Sequence, residues 1–130
     1  MGYTILLVDD SETIRMALER AIGMTDLVVD EIVQAANGRE ALEKLGEKWV
    51  DIVFTDINMP EMNGIVLVEE IKKNPEYAQL PVVVVSTEGS SQRIEELTQK
   101  GIAGYLRKPF TPERIRDMVL LTLGGWNNES

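Results

Sequence analysis

Short apolar runs punctuate the chain, and each is followed by a longer stretch in which apolar residues recur at helical spacing. The runs are Ile5 to Val8, Leu27 to Val33, Ile52 to Phe54, Val82 to Val85 and Gly104 to Leu106. Their shortness and their Val, Ile and Leu content predict strands, and the 3.6-residue period between them predicts amphipathic helices. After the first run, Ile14, Ala17, Leu18, Ala21 and Ile22 share one helical face, with Glu12, Arg15, Glu19 and Arg20 elsewhere. Asn37-Gly38 opens a second helix carrying Ala41, Leu42 and Leu45, which Gly46 is expected to close. Ile65, Val68 and Ile71 mark a third, stopping near Asn74 because Pro75 disfavours helical backbone in the residue before it. A fourth carries Ile94, Leu97 and Gly101 after the polar turn Gly89-Ser90-Ser91-Gln92. Thr111-Pro112-Glu113 supplies an N-cap, a first-position proline and a first-turn acid for a fifth, whose stripe is Ile115, Met118, Val119 and Leu123. Gly124-Gly125 should end it, leaving Asn127 to Ser130 as a frayed tail with Trp126 tucked back.

Strands alternating with helices pair in parallel through right-handed crossovers, and an all-valine fourth strand suits a position covered on both faces. The expected class is α/β, a doubly wound five-stranded parallel sheet with five helices. In such sheets ligands bind beyond the carboxyl ends of the strands, so the residues that follow each apolar run are where chemistry belongs.

Composition narrows that chemistry. The 130 residues contain no Cys and no His, which removes the usual zinc sites, cysteine nucleophiles, Ser-His-Asp triads and haem ligation by histidine. A formal net charge of −9, from 22 acidic and 13 basic residues, lacks the basic footprint that nucleic acid or an anionic membrane requires. No apolar run approaches the roughly 18 residues of a spanning helix, and the start of the chain lacks a secretory signal, so the expected compartment is the cytoplasm.

The strand ends deliver Asp9-Asp10, Asp56, Ser86-Thr87 and Arg107-Lys108-Pro109. Singly, each has an ordinary role: Asp9, Asp10 and Glu12 complement the following helix, Asp56 makes a turn, Ser86 bonds backbone and Lys108 is solvated. Together they are different. Carboxylates crowded at one edge repel, and protonation or a cation must relieve them. Mg²⁺ takes oxygen ligands and leaves positions for phosphate oxygens, so an acidic pocket beside a lysine suits phosphoryl transfer. A carboxylate is an accepted nucleophile for that transfer.

The segments Leu7-Val8-Asp9-Asp10, Asp56-Ile57-Asn58-Met59-Pro60-Glu61-Met62-Asn63-Gly64, Pro81 to Ser86 and Lys108-Pro109-Phe110 resemble the receiver domain of bacterial response regulators. The resemblance covers nearly the whole chain and is closest to the stand-alone, chemotaxis type. It implies a flavodoxin-like sheet of strand order 2-1-3-4-5, with residues 1–124 as the receiver domain and 125–130 as a tail with no output domain. It implies Asp56 as phosphoacceptor, with Mg²⁺ or Mn²⁺ held by Asp10, Asp56 and the backbone carbonyl of Asn58, and by Asp9 through a water. Lys108 would contact the phosphoryl group, and the Lys108-Pro109 bond is often cis in the family, against about 5% of X-Pro bonds generally. Ser86 would be the switch hydroxyl and Tyr105 the switch aromatic. On an extended strand Ser86 and its rival Thr87 face opposite ways, and the family register selects Ser86.

Asn58, Thr87 and Glu88 stand where the family tunes acyl phosphate lifetime, and Asn58 with Glu88 resembles the rapidly resetting chemotaxis pair. Ile57 replaces an aromatic, so neither Trp49 nor Trp126 is placed to report metal binding. The implied partners are a histidine kinase or phosphotransfer protein as donor and a downstream protein, such as the flagellar motor switch, on the fourth helix, fifth strand and fifth helix. The chain is expected to be a monomer that phosphorylates and dephosphorylates itself rather than a turnover enzyme. A relay or cell-cycle receiver that docks on a kinase or phosphotransfer protein is the alternative within the family. A haloacid dehalogenase-type phosphatase needs a second Asp where Asn58 stands, and a flavodoxin's phosphate loop would be repelled by Asp9-Asp10-Ser11-Glu12.

Overall fold

A computed structural model of the chain describes residues 2–87 and 91–123. Ten elements alternate along it: β1 (Tyr3–Val8), α1 (Glu12–Gly23), β2 (Val29–Ala35), α2 (Gly38–Glu47), β3 (Ile52–Thr55), α3 (Gly64–Lys73), β4 (Val82–Ser86), α4 (Ser91–Gln99), β5 (Gly104–Arg107) and α5 (Pro112–Leu123). All strand pairs are parallel, in the order β2-β1-β3-β4-β5. The doubly wound sheet and its flavodoxin-like order are therefore as the sequence implied.

Period-two alternation divides each strand between two cores. Ile5, Leu7, Ile52, Phe54, Val83 and Val85 pack against Leu18, Ala21 and Ile22 of α1 and Ile115 and Val119 of α5. Leu6, Val8, Val53 and Val82 face the other way, onto Ala41 and Leu45 of α2 and Leu67, Val68 and Ile71 of α3. A smaller cluster of Ile57, Val84 and Leu97 seats α4. Every residue of β3 and β4 is buried, as strands covered on both faces must be.

Three local expectations need correction. The second strand is displaced from Leu27–Val33 to Val29–Ala35: Val28 is exposed, and pairing runs on until Ala35 lies level with Val8. An edge strand carries polar residues, here Asp30, Glu31 and Gln34, that an apolar run does not capture. Gly46 does not close α2, which continues to Glu47 and ends as Lys48 turns extended at φ −138°. Gly101 lies beyond α4 rather than on its stripe. It takes φ +101° while the amide of Ile102 returns to the carbonyl of Leu97, a left-handed C-terminal cap for which glycine is suited. The turn residues Gly89 and Ser90, the closing Gly124-Gly125, and the tail with Trp126 lie outside the described residues.

Candidate functional site

The carboxyl ends of β1, β3, β4 and β5 meet at one edge of the sheet, and main-chain bonds fix their level. The amide of Asp9 donates to the carbonyl of Ala35 (3.1 Å), that of Asp56 to Val8 (3.0 Å) and that of Lys108 to Ser86 (2.9 Å). The chain then turns abruptly behind each acid. Ser11 caps α1 by accepting from the amide of Ile14, and Asn63 caps α3 by accepting from Val66.

Asp9, Asp10 and Asp56 each offer an oxygen within 4.8 Å of the other two. Asp9 is buried, Asp56 is half-buried and Asp10 is open to solvent. Lys108 Nζ lies 3.3 Å from Asp9 Oδ2 and 3.8 Å from Asp56 Oδ2, so its ammonium bridges two of the three carboxylates. Asp9 Oδ1 accepts from the amide of Ser11 (2.9 Å), and Asp56 Oδ1 accepts from the amide of Ile57 (2.8 Å). Burial is the largest influence on the Asp56 carboxyl and pushes its pKa above the ordinary aspartate value. The Ile57 amide and Lys108 oppose that rise, and the charges of Asp9 and Asp10 add to it.

This donor set, hard oxygens in negative excess, fits a hard divalent cation such as Mg²⁺, which accepts one or two carboxylates and keeps other positions for water or phosphate.

Ser86 is buried at the tip of β4, whereas Thr87, the first residue beyond the strand, is exposed. Tyr105 on β5 is half-buried, and its hydroxyl is enclosed with no hydrogen-bond partner among the described residues. Asn58 is exposed in the loop after Asp56, and Lys108-Pro109 is cis. Glu88 lies outside the described residues. Trp49 is exposed at the far edge, bonded to Asp51, and a surface groove of about 730 Å³ lies there, lined by Leu45, Trp49, Tyr77, Leu80 and Leu123. The acids thus cluster away from this groove.

Two features are not visible in the sequence pattern. Arg15, on the polar side of α1, is half-buried and donates to the main-chain carbonyl of Asp9. Long helical side chains lean toward the helix N-terminus, so a long cation one turn after Ser11 is the signal that points to it. Gly64 presses so closely on the carbonyl of Asp56 that a Cβ there would overlap it. Gly38 meets the backbone of Met62 in the same manner.

The chain matches the model of the response regulator receiver domain over residues 5–120. A chemotaxis protein CheY homolog of Campylobacter jejuni is 34% identical over 126 residues, covering 96% of this chain and 95% of that protein. The chemotaxis protein CheY of Thermotoga maritima is 40% identical over 115 residues, 88% of this chain and 92% of the relative. Among solved structures, the chemotaxis response regulator CheY4 of Vibrio cholerae superposes with a TM-score of 0.82 at 32% identity, covering 95% of this chain and all of the other.

Proposed function

The chain belongs to the response regulator receiver domain family, and on that premise we propose that it accepts a phosphoryl group on Asp56 and converts it into a change of partner affinity. The observation that carries this reading is the convergence of Asp9, Asp10 and Asp56 at one sheet edge, with Lys108 against Asp9 and Asp56. A carboxylate oxygen of Asp56 attacks phosphorus as the bond to the donor imidazole nitrogen breaks, its electron pair leaving with that nitrogen. The donor is a histidine kinase or phosphotransfer protein, because this chain has no His. Lys108, already between Asp9 and Asp56, receives the added negative charge.

The residues that would hold Mg²⁺ or Mn²⁺ are Asp10, Asp56 and the Asn58 carbonyl, with Asp9 acting through a water. Bound there, the ion supplies neutralisation of charge on the transferring oxygens. Asn58, Thr87 and Glu88 set how quickly the acyl phosphate hydrolyses. The switch begins at Ser86, whose hydroxyl shifts toward the phosphoryl oxygens and makes room near Tyr105. Output then appears on α4, β5 and α5. Motility is the favoured pathway because the relatives' names are chemotactic, with the flagellar motor switch as target and the cytoplasm as compartment.

Amide exchange with beryllofluoride, a phosphoryl mimic, tests the switch. Protection is expected to change in β4's end, α4 and β5 when Mg²⁺ and the mimic are both present. Changes confined to the acidic edge would contradict the proposed output. A pull-down under the same conditions separates motor-switch capture from capture of a kinase or phosphotransfer protein.

A further inference from the structure

The acidic loop between β1 and α1 is held from behind by a cation that touches none of its carboxylates. Arg15 Nη1 donates to the main-chain carbonyl of Asp9 at 2.5 Å, and its Nε donates to Gln34 Oε1 at 2.9 Å. Gln34 in turn donates through Nε2 to Glu19 Oε1 at 2.7 Å, which returns the chain of bonds to α1. The last two residues of β2 therefore secure Asp9 at both ends: Ala35 takes its amide, and Gln34 steadies the guanidinium that takes its carbonyl.

We propose that Arg15 is a positioning residue for the divalent-cation site, fixing the Asp9-Asp10 peptide plane so that both carboxylates are set before the ion arrives; this rests on the phosphoryl reading above. The carbonyl of Asp9 and the amide and Cα of Asp10 lie in one rigid plane. Fixing that carbonyl fixes the direction in which the Asp10 side chain starts. A guanidinium is well matched to this role. Its planar fork serves two acceptors at once, it stays charged at all working pH, and its bond to a neutral carbonyl is charge-assisted. Because Arg15 bonds a carbonyl and an amide, it leaves the Asp9, Asp10 and Asp56 oxygens to Lys108 and to a divalent ion. The side chains that orient metal ligands from behind typically control affinity by about 10-fold or more.

Two substitutions separate geometry from charge. Arg15→Lys keeps the charge and loses the fork, and Gln34→Ala keeps the whole guanidinium and loses its brace. Mg²⁺ affinity of the unphosphorylated protein is measured by calorimetry, and exchange of the Ser11 amide, which bonds Asp9 Oδ1, is followed in EDTA. Arg15→Lys is expected to weaken Mg²⁺ binding about 10-fold and Gln34→Ala about threefold. Ser11 exchange should quicken in both while central β3 amides keep their protection. Unchanged Mg²⁺ affinity in Arg15→Lys would overturn the inference while leaving the phosphoryl reading intact. Wild-type protein that binds no Mg²⁺ would overturn both.

Discussion

Asp56 holds a carboxyl whose surroundings work against its charge, with burial first among the causes and Asp9 and Asp10 adding repulsion that Ile57 and Lys108 only offset in part. The folded carboxyl therefore binds its proton more tightly than the unfolded one. Folding stability falls as pH rises between the two pKa values, and above the folded value the whole penalty is present. Asp56→Asn is expected to raise the urea midpoint of metal-free protein at pH 7, and the gain should vanish below about pH 4, where the unfolded aspartate also protonates. Equal midpoints at pH 7 would show that the carboxylate is not held at a cost. The positions of Asp9, Asp10, Asp56, Ser86 and Lys108 were legible in the sequence because each stands at or just beyond the carboxyl end of a strand and a parallel sheet aligns strand ends. Arg15 was not, because the face of a helix assigns a side chain's root and not the place where a long stem finishes.

The strands were legible where an apolar run is unbroken and blurred where polar residues interrupt it. β3 and β4 lie near their apolar runs, whereas β2, an edge strand with exposed Asp30 and Glu31, is displaced from its run. The cap at Asn37 could be read from residue type alone, whereas those at Ser11 and Asn63 were not read. Asn37 accepts from the Glu40 amide at 2.8 Å, and Glu40 reaches back to the Ala36 amide at 2.9 Å. Asn37→Ala is expected to cost about 1 kcal/mol in urea unfolding. Close approach between elements could not be read, because it depends on how a loop returns to the sheet. Gly64 begins α3 against the Asp56 carbonyl, its amide bonded to the Ile57 carbonyl at 2.8 Å. Gly64→Ala forces apart the strand end and the helix start, and should cost about 2 kcal/mol or more through overpacking. It should also slow phosphorylation, since the displaced atom belongs to the acceptor residue itself. A Gly64→Ala protein with wild-type midpoint and wild-type rate would contradict that account.

At the scale of the molecule, strand order assembles the site. β1 lies beside β3, and β5 completes the edge beyond β4, so Asp9 and Asp10, Asp56 and Lys108, far apart in sequence, share one rim. No helix among the described residues is long and apolar enough to cross a membrane. A ligand that binds only the folded state stabilises it by mass action, so saturating Mg²⁺ should raise the thermal midpoint of the wild type. Asp10→Asn should lose most of that rise, and a full rise in the variant would place the ion elsewhere. The most direct measurement is intact mass after exposure to acetyl phosphate and Mg²⁺. Wild-type protein is predicted to gain one phosphoryl group that hydroxylamine removes, and Asp56→Asn to gain none; an unmodified wild type, or a variant modified to the same extent, would contradict the assignment of Asp56 as acceptor.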